Sequence, residues 1–124
     1  KITLGGKVIL ILGDCGVEAG KRILARFGAD GVKCDICQMA RHGQNGCDRA
    51  FYESARPEVC LWYAPDWLWD NDRGTGFDCG PWETVRTREW MDALGVTVVL
   101  RHRRKQPRRL IGHPSSASSR ALAI

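Results

Sequence analysis

The run KVILILGD, Lys7–Asp14, narrows what this chain can fold into more than any other stretch. After its lysine the apolar residues are unbroken rather than alternating, as in a central strand buried on both faces of a layered α/β domain. The stretch VEAGKRILARFG follows, with Val17, Ile23, Leu24 and Phe27 at helical spacing. Gly20 is a small residue on the same face, and Gly28 stands where a C-terminal stop belongs. CDICQMA (Cys34–Ala40) predicts a second strand, DRAFYESAR (Asp48–Arg56) a short helix, and EVCLWYA after Pro57 a third strand. A long loop rich in Trp, Asp and Gly, PDWLWDNDRGTGFDCGPW, leads to a helix from about Trp82 to Leu94, stopped by Gly95, and to a last strand VTVVL. The order β-α-β-α-β-loop-α-β is that of an α/β layered domain without internal repeats.

With 124 residues, 44% of them hydrophobic, the chain has enough material for one domain with its own core, so folding requires neither metal nor disulfides. No apolar run approaches the roughly 20 residues of a membrane span, and the apolar start lacks a small-residue cleavage site. The expectation is a soluble, cytoplasmic protein with no membrane partner. Six cysteines, Cys15, Cys34, Cys37, Cys47, Cys60 and Cys79, are scattered through ordinary apolar sequence as reduced core residues would be. Because the chain opens at Lys1 inside a strand-like phrase, a preceding segment is expected. The net charge of +5 is unevenly spread: residues 1–100 hold 12 basic and 14 acidic side chains, a net of −2, and no acid follows Asp92. Residues 1–100 therefore read as the domain. Residues 101–124 read as a basic, low-complexity tail that is solvated or disordered and able to touch nucleic acid electrostatically.

Two constellations compete for His42. Cys34, Cys37, His42 and Cys47 carry the spacing of a zinc knuckle, a nucleic-acid-binding finger. Knuckle turns use glycines between the second Cys and the His; here that interval is QMAR. If CDICQMA is a strand, Cys34 and Cys37 also leave on opposite faces and cannot share a metal. The alternative pairs His42 with Asp14, each just past the end of a strand, where ligand chemistry collects in layered α/β folds. A carboxylate and an imidazole side by side make half a metal site. Without a metal, Asp14 is the N-cap of the next helix and His42 a turn residue.

Taken as one phrase, residues 1 to about 70 resemble the C-terminal half of a metallo-β-lactamase-fold hydrolase, in the branch similar to the hydrolase domain of DNA-uptake competence proteins. The resemblance rests on Gly13-Asp14 closing a strand, the helix after it, the strand opener Cys34-Asp35, the turn Arg41-His42-Gly43, and the closing strand in ARPEVCLWY. It weakens toward residue 100 and does not reach the tail. It implies half of an αββα sandwich and a metal-dependent hydrolase acting on a phosphodiester or other ester. Two divalent ions, zinc or manganese, would be bridged by Asp14, with His42 holding one of them. Trp67, Trp69 and Trp82 would wall a substrate pocket or pack over the sheet.

Two departures qualify that resemblance. The family's HHG reads RHG here, which puts Arg41 where a ligand can stand, and the family's HxHxDH motif lies upstream of the GD strand, where this chain has no room. The histidines are His42, His102 and His113. The chain thus reads as half an enzyme, inactive alone and holding metal weakly or not at all, whose partner is the missing N-terminal half or a second copy. The other readings are a non-catalytic interaction module derived from the same fold, and the zinc knuckle.

Overall fold

The computed structural model describes residues 1–74 and 83–101. The chain opens with a hairpin. Strand β1 (Ile2–Leu4) pairs antiparallel with β2 (Lys7–Ile11), Leu4 opposite Lys7, through Gly5 and Gly6 at φ of 57° and 75°. A two-residue hairpin turn matched to strand twist needs positive φ at both positions, and two glycines supply it without strain. The helix α1 (Val17–Val32) follows, broken at Gly28, whose φ of 66° and ψ of −179° are not helical. The expected glycine stop is there, but the chain resumes helical structure as far as Val32. The remaining elements are β3 (Ile36–Gln38), a 3-10 turn (Ala40–Gly43), α2 (Arg49–Ala55), β4 (Val59–Tyr63), α3 (Asp66–Asp72), α4 (Thr84–Ala93) and β5 (Thr97–Arg101).

The five strands form one mixed sheet in chain order, with β2, β3, β4 and β5 mutually parallel and β1 antiparallel at one edge. This is the mixed α/β class that the sequence indicates. Several details differ from the sequence reading. The strand predicted over 34–40 is only Ile36–Gln38, since Cys34 donates its N–H to Ala55 O and the chain enters the 3-10 turn at Ala40. The predicted loop at 65–82 contains helix α3, started by Pro65 and Asp66, while residues 75–82, including Trp82 and Cys79, lie outside the described residues. Strand β5 takes in Arg101, one residue past the expected boundary; residues 102–124, the rest of the basic tail, also lie outside the described residues.

The sheet has one covered face. In-register neighbours Leu10, Cys37, Cys60 and Val98 form a row on it, and Trp62 and Leu100 the next pair. They pack with Val32, Phe51, Tyr52, Leu68 and Met91 from the helices into one core. The opposite face carries the row Ile2, Ile9, Ile36 and Val59, then Ile11, Gln38, Leu61 and Val99. Nothing among the described residues covers it: Ile11 is 59% exposed, Leu61 45% and Val99 46%. The reading of Lys7–Leu12 as a strand buried on both faces is therefore corrected. Only Leu10 of β2 is buried, because the helices among the described residues lie on its side of the sheet. No helix among the described residues is long and apolar enough to cross a membrane.

At the amino ends of the parallel strands, Asp35 ties three of them together. Its carboxylate accepts from Val8 N at 2.7 Å and pairs with Lys7 Nζ at 3.2 Å, while the same ammonium reaches Glu58 at 3.2 Å. The Val8 N–H, and then Lys7, hold the Asp35 carboxyl below the usual carboxylate range. The strand opener Cys34-Asp35 thus has a structural task at the edge remote from Asp14.

Two outcomes are expected. Trp62→Ala should cost about 3–5 kcal/mol in urea unfolding, whereas Leu61→Lys, one residue away but on the bare face, should stay within about 0.5 kcal/mol. For Asp35 the folded pKa is depressed, so its stabilisation is present above the unfolded value of about 4 and lost as pH falls through the folded value. The gap in urea midpoint between wild type and Asp35→Asn should therefore be open at neutral pH and close in the acid range below about pH 4.

Candidate functional site

The carboxyl ends of β2, β3 and β4 point to one edge of the sheet; the segments leaving β2 and β3 carry Asp14 and His42, and Tyr63 ends β4. Asp14 sits in the turn between β2 and α1, exposed, with Gly13 beside it at φ 52°. The N-cap of α1 is Gly16, which has no side chain to cap with, so Asp14 is not the helix cap. The Asp14 turn is held from β3. Gln38 Oε1 accepts from Leu12 N at 3.1 Å and from Gly13 N at 2.7 Å, satisfying two backbone donors that the end of the strand would otherwise leave without partners.

His42 stands in a turn of unusual backbone. Arg41, His42 and Gly43 all have positive φ, 45°, 57° and 81°, and Asn45 follows at 48°. Left-handed residues other than glycine carry strain of about 1 kcal/mol or more each and persist only where the surroundings over-determine them. Here they are over-determined. Arg41 O accepts from Gln44 N at 2.9 Å, His42 O from Trp62 Nε1 at 2.8 Å, and Gly43 O from the buried Thr87 hydroxyl at 3.0 Å. Arg41 N donates to Gly13 O at 2.8 Å, which joins this turn to the one carrying Asp14. The RHG turn is thus fastened to the turn after β2, to β4 and to α4 at once, and His42 is presented outward, exposed.

The orientation of the His42 ring follows from one contact. Nδ1 lies 3.0 Å from Tyr63 O, and a carbonyl oxygen only accepts, so Nδ1 carries a hydrogen and, in the neutral imidazole, the lone pair is on Nε2. The Tyr63 ring lies edge-on to the imidazole at 5.8 Å between centroids. Metal-binding histidines adopt this arrangement, with one nitrogen donating to a carbonyl so that the other is free to ligate. The Arg41 guanidinium lies by the start of α1, with Nη1 3.6 Å from where a Cβ on Gly16 would be.

The knuckle residues do not converge on one point. Cys37 lies opposite Cys60 on β4, and that thiol together with burial raises its pKa. Cys47 is buried against Cys15, its Sγ 3.9 Å from Cys15 O, and His42 faces Tyr63. Cys34 precedes β3 and is itself buried, so the expected opposition of Cys34 and Cys37 across a strand does not arise. Burial pushes the Cys34 thiol up to about 12, with Cys37 adding to the effect. Among the described residues no three His, Cys, Asp or Glu side chains gather into a group that could hold a metal ion. The five described cysteines are free in this structure.

Of the tryptophans proposed to wall a pocket, Trp69 packs on Trp62 at 5.4 Å and 43° and donates to Ala64 O at 3.3 Å, while Trp67 is 45% exposed. A cleft of about 390 Å³ opens beside them between α3, α4 and β5, lined by Asp66, Trp69, Asp70, Arg73, Arg88 and Leu100. Sequence reasoning picks out Asp14 and His42 but not the groups that hold them, Gln38, Trp62, Tyr63 and Thr87. Their common signal is position, each being at the end of a strand or on a helix face that only the fold brings to this edge.

No protein-family model matches the chain, and no curated protein or solved structure is significantly similar to it.

A Cβ on Gly43 would come within 2.2 Å of Trp62 Cζ2, at a φ that already disfavours a side chain, whereas Gly95 at φ 69° faces open space. Gly43→Ala should cost about 2–4 kcal/mol in chemical denaturation and Gly95→Ala about 1 kcal/mol, the difference being the steric part.

Proposed function

We propose that this chain is the C-terminal part of a metallo-β-lactamase-fold hydrolase, a metal-dependent enzyme acting on a phosphodiester or other ester. The observation that carries the reading is the His42 ring. Its Nδ1–H is committed to Tyr63 O, its Nε2 is open, and its turn is pinned by the Arg41 N to Gly13 O bond to the turn that holds an exposed carboxylate, Asp14. A hard oxygen and an imidazole nitrogen at one strand edge suit zinc or manganese.

In this reading Asp14 and His42 are part of the donor set. Two donors bind divalent metal weakly, so the chain alone is inactive and the other ligands come from the upstream half of the fold. When bound, a metal pair supplies a nucleophilic water at neutral pH and positive charge to balance that developing on the ester. The chain's own residues do the positioning. Tyr63 O fixes the tautomer and plane of His42, Gln38 holds the backbone before Asp14, and Trp62 and Thr87 keep the His42 turn from relaxing. The bare apolar face of the sheet supports the same reading, since the second sheet of an αββα sandwich would lie on it, and a second copy of the chain is the other candidate cover. The same face suits a non-catalytic interaction module derived from the fold.

The test is zinc titration followed by the imidazole nitrogen resonances of the labelled protein. The expected outcome is a selective change at His42 Nε2 with Nδ1 still protonated, weakened in Asp14→Ala, and no phosphodiester turnover above a metal-only control. A response at the cysteines, or one indifferent to Asp14, would overturn the assignment.

A further inference from the structure

We propose that Cys15 and Cys47 form a reversible disulfide that clamps the turn carrying Asp14 to the segment carrying His42. Cys15 directly follows Asp14 and is partly exposed; Cys47 closes the 40–47 segment just before Asp48, the residue that caps α2 by accepting from Phe51 N. The Cys47 Sγ lies 3.9 Å from Cys15 O although 32 residues separate the two in the chain, and the neighbouring Cys15 thiol adds to burial in raising the Cys47 pKa. Space for the Cys47 sulfur is made by Gly20 on α1: a Cβ there would come within 3.0 Å of it. A disulfide needs its sulfurs about 2.05 Å apart, which here calls for the Cys15 side chain to turn toward the Cys47 sulfur.

Access separates this pair from the other adjacent one. Cys37 and Cys60 are both fully buried beneath the helices, so a reagent reaches neither. Cys15 has exposed surface and Cys47, behind it, has almost none, the arrangement of an attacked thiol and a resolving thiol. The oxidant is a small disulfide of the glutathione class. Cys15 thiolate attacks one of its sulfurs and releases one small thiol, leaving a mixed disulfide on Cys15. Cys47 thiolate then attacks the Cys15 sulfur and releases the second small thiol. Two protein thiols are oxidised, one small disulfide is reduced, and the two protons lost by the cysteines end on the released thiols. Burial raises the Cys47 pKa, which slows the second step and stabilises its product against reduction, because the thiol that would have to leave is a poor leaving group.

The clamp itself depends only on the two cysteines. Its consequence for catalysis, a fixed spacing between Asp14 and His42, rests on the hydrolase reading above. The test is to incubate the native chain with oxidised glutathione, alkylate the remaining thiols, digest and map the cross-linked peptides. The expected result is a Cys15–Cys47 cross-link with two fewer free thiols per chain, reversed by dithiothreitol. Cys15→Ser should give no cross-link and leave Cys47 unmodified. A mixed disulfide that stays on Cys15, a cross-link of Cys15 to Cys79, a Cys37–Cys60 cross-link in its place, or no oxidation would each overturn the proposal. Failure of zinc to perturb His42 would sink the hydrolase reading and leave the cross-link result unaffected.

Discussion

The handedness of the strand connections is the constraint on which the rest of this structure depends. Strands β2 to β5 lie side by side in chain order and parallel, so every connection is a crossover in the same direction across the sheet. Right-twisted strands require right-handed crossovers, and a sheet built in one direction by crossovers of one hand receives all its helices on one face. The single core, in which Cys37, Cys60 and Trp62 meet Phe51, Tyr52 and Met91, follows from that, and so does the bare apolar face carrying Ile11, Leu61 and Val99. Covering both faces from a single chain requires a reversal of strand order, which the described residues do not contain.

Parallel strands also bring their carboxyl ends to one edge, and this is why residues 20 or more positions apart in sequence can act on one another there. Gln38 reaches back to Gly13, Trp62 to His42, and Tyr63 to the His42 ring. The left-handed backbone at Arg41, His42 and Asn45 is strained. Its cost is offset by hydrogen bonds from three separate elements. The opposite edge, held by Asp35, Lys7 and Glu58, has ordinary strand geometry and an exposed ion pair worth little on its own. In layered α/β folds the carboxyl edge of the strands is the one where ligands usually bind, and here it is the edge that carries the left-handed turn.

Much of this was legible in advance because it depends on local pattern. The apolar run at Lys7–Leu12, the helical spacing of Val17, Ile23, Leu24 and Phe27, and the stop at Gly28 each reflect a period or a backbone preference that the residues carry themselves. Asp14 and His42 could be nominated because strand ends can be read from the same pattern. The errors fall where local pattern is silent or divided. Gly5-Gly6 splits the opening phrase into a hairpin, PDWLWDND is helical in spite of its loop-like composition, and the strand around Cys37 is shortened because Asp35 and Ala40 are engaged by other elements.

The cysteines and the β2 run show where sequence stops and tertiary structure begins. Spacing alone allowed Cys34, Cys37, His42 and Cys47 to be one site, because sequence records separation along the chain and not direction in space. The fold sends Cys37 to Cys60, Cys47 to Cys15 and His42 to Tyr63, since each is fixed by the strand or turn that carries it. Likewise an apolar run declares that both faces of β2 suit burial, but which face is buried depends on where the crossovers put the helices. Sequence determined the elements, their order and the chemistry at their ends, all of which come from residues near one another in the chain. Tertiary structure decided which side chains share a neighbourhood, because that follows from the hand of the crossovers and from the register of strands far apart in sequence.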